Sequence, residues 1–140
     1  MADGDMAHLN DQRHAPTKGE WTLFYPVRPW TINKDRNWHP HQRAKHIKEW
    51  REAFNDLARD AFIPRLEFIN VEVCPVLGDR RLQDTAACVT AAKAAIDGLI
   101  DAGVIEDDNP QFLGSIKFYA PIVERGTNGL LVRIYESSPG

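Results

Sequence analysis

Gly78–Asp108 reads GDRRLQDTAACVTAAKAAIDGLIDAGVIEDD. Within it Cys88, Ala92, Ala95, Ile96 and Leu99 recur at helical spacing and form one apolar stripe. Asp84 or Thr85 is suited to cap the start of that helix. Gly103 suits the left-handed position that ends one. The flanking segments have a different period. Upstream, Leu66–Val76 sets Phe68, Cys74 and Val76 on one side and Ile69, Val71 and Val73 on the other, the pattern of a strand covered on both faces. Downstream, 112–123 alternates through Ile116, Phe118, Ala120 and Ile122. Strand, helix and strand therefore follow one another about this stretch.

Working outward, residues 21–27 alternate as an opening strand, with Trp21, Leu23, Tyr25 and Val27 on one face and Pro26 and Pro29 at its end. Residues 28–43 are polar, basic and aromatic and read as a structured loop. Ala44, Ile47, Trp50, Phe54, Leu57 and Ala61 predict a helix over about 41–62, closed by Pro64. Thr127-Asn128-Gly129 predicts a turn, and 130–135 a return strand that makes a C-terminal β-hairpin. Residues 1–19 have no periodicity and read as a flexible arm, 20–136 as one domain, and 137–140 as a tail. The predicted class is α+β, a small mixed α/β domain with a mixed sheet and two main helices.

The 140 residues suffice for a single unstapled core. The chain is 43% hydrophobic and 26% charged, with a net charge of −3. That balance argues against a general nucleic-acid binder, although it does not govern local patches. Cys74 and Cys88 are too few for a disulfide framework and read as reduced thiols. No run approaches the ~20 apolar residues of a membrane span, and no basic, then apolar, leader is evident. These features point to a cytoplasmic protein.

Three groups of residues carry possible chemistry. The first is acidic: Asp84 precedes the central helix, and Glu106-Asp107-Asp108 follows it. Two acidic spots at the ends of one rigid element can hold a hard divalent cation. The same residues also read as a helix cap and a solvated turn. The second is Lys93, which lies on the polar side of the helix as an i, i+4 partner of Asp97. It is either a surface pair or a lysine directed at a phosphate. The third is residues 28–51, which contain seven Lys or Arg against two acids, a local balance near +5. There Arg28, Asn33, Lys34, Arg36, Arg43, Lys45 and Lys48 suit phosphate contacts. Trp30 and Trp38 suit stacking on unpaired bases. His39 and His41 lack companions at zinc-ligand spacing and read as exposed. Cys88 lies on the apolar stripe without a histidine beside it, so it is not read as a nucleophile.

Over about residues 20–136 this order resembles the RusA family of Holliday junction resolvases of phages and prophages. Three segments carry the resemblance: AKAAIDGLIDAGVIEDD, the opening PWTINKDRNWH with EWREAF, and the closing GSIKFYAPIVERGTNGLLVRIYE. The resemblance implies a small mixed α/β domain working as a symmetric homodimer, with Mg2+-dependent nicking of four-way DNA junctions and Mn2+ as the alternative metal. It implies Asp84 and Asp108 as catalytic metal ligands, helped by Asp107 or Asp79, and Lys93 at the scissile phosphate. The family's D-x-D-N run falls on Asp84-Thr85-Ala86-Ala87, so alanines stand where the second acid and the amide belong. Asp79 is the expected substitute. A second expectation follows from those alanines: a protein of the same fold that binds branched DNA without cutting it. A third class, a protein-interaction domain, is suggested by the acidic pI.

Overall fold

A computed structural model describes residues 19–79 and 84–139. The expected arm, apart from Gly19, lies outside the described residues, as does Gly140. The strands are β1 (Gly19–Tyr25), β2 (Ile69–Leu77), β3 (Leu113–Phe118), β4 (Ile122–Val123) and β5 (Gly129–Glu136). The helices are α1 (Ile32–Asn37), α2 (Pro40–Asp60) and α3 (Val89–Asp101). The α+β class is therefore observed, with one mixed five-stranded sheet.

The sheet runs β1-β5-β2-β3, with β4 also against β2. β2 and β3 are parallel, so the chain between them must cross over, and α3 makes that crossover. β5 runs antiparallel to both β1 and β2. Ile69, Val71 and Val73 join Leu130, Val132 and Ile134 on the face covered by the helices. A smaller cluster of Cys74, Ile122 and Leu131 lies on the opposite face.

The expected C-terminal hairpin does not form. β4 pairs with β2, and β5 inserts between β1 and β2. The reason is burial: every residue of β5 from Gly129 to Tyr135 is buried, which an edge hairpin cannot provide. The strand expected over 112–123 is likewise split. Pairing with β2 lapses between Val73↔Phe118 and Val76↔Ile122. Pro75 lies beside this gap and has no N–H to give a neighbour.

α2 and α3 pack closely. A Cβ on Gly98 would lie 2.5 Å from the Arg51 carbonyl oxygen, so only glycine permits this approach. Arg51 donates to both Asp101 oxygens, Nε at 2.5 Å and Nη2 at 2.8 Å. That pairing holds the Asp101 carboxyl below its usual range. α3 ends as its glycine predicts. Gly103 has φ +82°, its N–H donates to Ile100 O at 2.9 Å and that of Val104 to Leu99 O at 3.0 Å, the Schellman pattern. The predicted cap at its other end is not made. The helix begins after Cys88 with no side-chain cap. Residues 85–88 form a turn instead, in which Ala87 N–H donates to Asp84 O at 2.9 Å and Ala87 O accepts from Ile32 N–H at 2.8 Å.

Candidate nucleic-acid interface

The region read as a loop is mostly helical. Thr31 Oγ1 caps α1 by accepting from Lys34 N–H at 3.2 Å. Pro40 starts α2 in the first helical turn, where its missing N–H costs nothing. Asp35 fastens the two helices. Its carboxylate accepts from Trp30 Nε1 at 3.3 Å and pairs with Arg43 Nε at 3.3 Å. Arg43 Nη2 also donates to the Asp35 carbonyl at 2.9 Å. Arg43 is thus an internal tie rather than a free phosphate contact. Trp30, 5% exposed, belongs to the core, so it cannot stack on a base as expected without leaving that core.

The charge count of the segment also changes in three dimensions. Arg28 pairs with Asp79 at 3.1 Å, Arg51 with Asp101, and Lys48 with Glu52 at 3.9 Å. These partners lie outside the window over which the sequence was counted, or beside it on the helix. Lys34, Arg36 and Lys45 remain exposed. Lys34 Nζ sits 5.9 Å from the Trp38 ring centroid. Trp38 is half-buried and stacked on His46, with ring centroids 4.1 Å apart and planes 14° apart. Asn33 is exposed, and its carbonyl accepts from Asn37 Nδ2 at 3.1 Å. His39 and His41 are exposed, as the sequence predicts.

The predicted acidic site is only partly assembled. Lys93 forms ion pairs with Asp108 and with Asp97, the latter at 3.3 Å. The chain therefore turns back along α3 after Gly103 and brings Asp108 to Lys93. Asp107 is used locally: its Oδ1 accepts from Asp108 N–H at 2.8 Å and its Oδ2 from Asn109 Nδ2 at 3.1 Å. Asp79 is held at the end of β2 by Arg28, which also donates to Asn128 Oδ1 at 3.3 Å. Among the described residues no three His, Cys, Asp or Glu side chains converge in a metal-ligating group. The Lys93 ammonium sits against the Asp108 carboxylate. Cys88 is fully buried, and burial pushes its thiol up to about 11, so it stays a protonated core thiol.

Two residues near this interface, His46 and Glu49, are read in the sequence only as part of the charge of residues 28–51 and not as site residues. Both line a cavity with Trp30, Trp38 and Lys34. The signal for His46 was present: it stands one turn before buried Trp50 on the same side of α2. Among the described residues no helix is long and apolar enough to cross a membrane. Neither the protein-family models nor the curated proteins give a match to this chain.

Proposed function

We propose that this chain binds branched DNA on a RusA-like domain, gripping it with α1 and the N-terminal half of α2, and that it does so without cutting. The observation that carries the reading is the group of exposed cations Lys34, Arg36 and Lys45 on two helices fastened together by Asp35. Cations of this kind supply the sequence-independent part of DNA affinity. Half-buried Trp38 beside them offers an aromatic edge to unpaired bases. The twofold dimer implied by the resemblance belongs to the same reading, and sedimentation of the purified chain tests it.

One observation favours a second reading, metal-dependent nicking. Lys93 and Asp108, both marked by the resemblance, do meet, with Asp97 beside them. A labelled synthetic four-way junction separates the two readings on native and denaturing gels, with EDTA, Mg2+ or Mn2+. The expected result is a retarded complex that EDTA leaves intact, with no nicks under any condition. Paired nicks that need metal and vanish in Asp108→Asn would replace binding alone with cleavage. No retarded complex even at low salt would remove DNA from the account and leave a protein-interaction domain.

A further inference from the structure

Between the β1–α1 linker and the middle of α2 lies a cavity of about 390 Å3, within the ~300–1,000 Å3 range of small-molecule sites. Its aromatic wall is already rigid. Trp38 is backed by His46 at 4.1 Å, and Trp30 meets Trp50 edge-on at 5.5 Å and 84°. A flat ring stacking there meets a surface that needs little ordering, and such stacking accepts any base because every base has a π-face. Three charged side chains line the same cavity, Arg28, which is engaged with Asp79, and two of opposite sign, Lys34 and Glu49. Both are exposed. Neither has an ion-pair partner among the described residues, since the salt bridges of this region join Arg28–Asp79, Arg43–Asp35 and Lys48–Glu52. Burial first, and the Glu49 carboxylate second, raise the Tyr25 phenol.

An aromatic wall, a cation and an unpaired carboxylate call for a planar ligand with an anionic group and N–H donors. A carboxylate accepts only, and it can accept two parallel N–H bonds at once. Guanine offers two such donors side by side, N1–H and the N2 amino group. Adenine and cytosine set an acceptor next to their amino group, facing the carboxylate unfavourably. Thymine sets its one N–H between two carbonyl oxygens. We propose that this cleft holds one unpaired guanine, stacked at Trp38, with Glu49 accepting from N1–H and N2–H and Lys34 on the attached phosphate. The inference rests on the reading of this face as DNA-binding and names the base that the face selects.

The chemistry is common to a free guanine nucleotide and to an unpaired guanine in a strand, so the test has an arm for each. The full chain is titrated with dGMP, dAMP, dCMP and dTMP, following tryptophan fluorescence, and then with a thymine oligonucleotide carrying a single guanine. The expected result is saturable quenching by dGMP, about tenfold tighter than by the other three, equivalent to ~1.4 kcal/mol. The guanine oligonucleotide is expected to bind more tightly than its all-thymine counterpart. In Glu49→Gln the preference for guanine falls to within about twofold while quenching persists, because the amide keeps the stack and loses the double acceptor. In Lys34→Gln all four nucleotides weaken together. No saturable response to dGMP or to the guanine oligonucleotide overturns the proposal, and so does a preference untouched by Glu49→Gln. A junction retarded on the gel with no guanine response discards the cleft and keeps the DNA reading. A dGMP response without a retarded junction keeps the cleft and discards that reading.

Discussion

Glu72 lies on the sheet face turned away from the helices, where strand pairing sets Thr22, Arg133, Glu72 and Lys117 in one row across four strands. Two phenols hold its carboxylate: Tyr119 Oη donates at 2.9 Å and Tyr135 Oη at 2.5 Å. Each bond needs the neutral phenol, so burial first and the Glu72 contact second raise both groups. Tyr119 is pushed up to about 12 from an ordinary 10.0. A group raised on folding contributes stability that is complete below its unfolded value and lost as pH rises through its folded value. The contribution of Tyr119 should therefore be constant up to about pH 10 and be lost progressively between about 10 and 12. In Tyr119→Phe this alkaline loss should shrink, while stability at neutral pH falls by about 1 kcal/mol for the missing hydrogen bond. Urea melts at pH 7, 10 and 11 read both quantities. An unchanged alkaline slope would mean that the Glu72 pairing contributes nothing to it.

At the scale of elements, α3 packs against α2 and α1 and shares one core with the sheet. Its small residues Ala91, Ala94, Ala95 and Gly98 are buried. Gly98 faces backbone: a Cβ there would meet Arg51 O at 2.5 Å, Phe54 Cβ at 2.9 Å and Asn55 N at 3.0 Å. Backbone atoms of a packed helix cannot turn aside as a side-chain tip does. Gly98→Ala should therefore cost ~1–3 kcal/mol through overpacking, although alanine favours the helix by up to ~1 kcal/mol on propensity alone. The sign of the change in Tm decides between these effects, and a rise would place α2 further from α3. This element was readable in the sequence because its stripe and its terminal glycine agreed. The wrongly expected hairpin had a readable warning too. Leu130-Leu131-Val132 is a continuous apolar run, the mark of a central strand rather than an alternating edge. Helix α1 was hidden in a segment of polar residues, where no apolar stripe exists to betray it. What makes it a helix is the Thr31 cap and the ties from Asp35 to Trp30 and Arg43. Those ties run between elements and leave no local pattern. The contacts of the candidate acids were hidden for the same reason, since nothing in the spacing of Asp79, Asp107 and Asp108 tells that Arg28, Asn109 and Lys93 will meet them.

For the molecule as a whole, a net charge of −3 opposes approach to DNA at long range, and any grip must come from a local surface. Counting charges along residues 28–51 overstates that surface, because Asp79 and Asp101 arrive from elsewhere in the fold to neutralise Arg28 and Arg51. Lys34, Arg36 and Lys45 remain exposed, and the proposed DNA contacts rest on them. Each phosphate neutralised adds about 0.9 to the steepness with which affinity falls on a logarithmic salt scale. Junction affinity measured by fluorescence anisotropy between 50 and 200 mM salt should therefore show a slope of roughly −2 to −3 for one protomer on these contacts. Changing all three residues to glutamine should flatten it almost completely. Changing Arg43 instead should leave the slope unaltered and lower the melting temperature, because its guanidinium serves Asp35. If Arg43→Gln flattens the slope as the triple variant does, α1 and α2 do not hold the arrangement that separates structural from DNA-facing cations. A slope well beyond −3 that survives the triple change would move the DNA to another face of the protein.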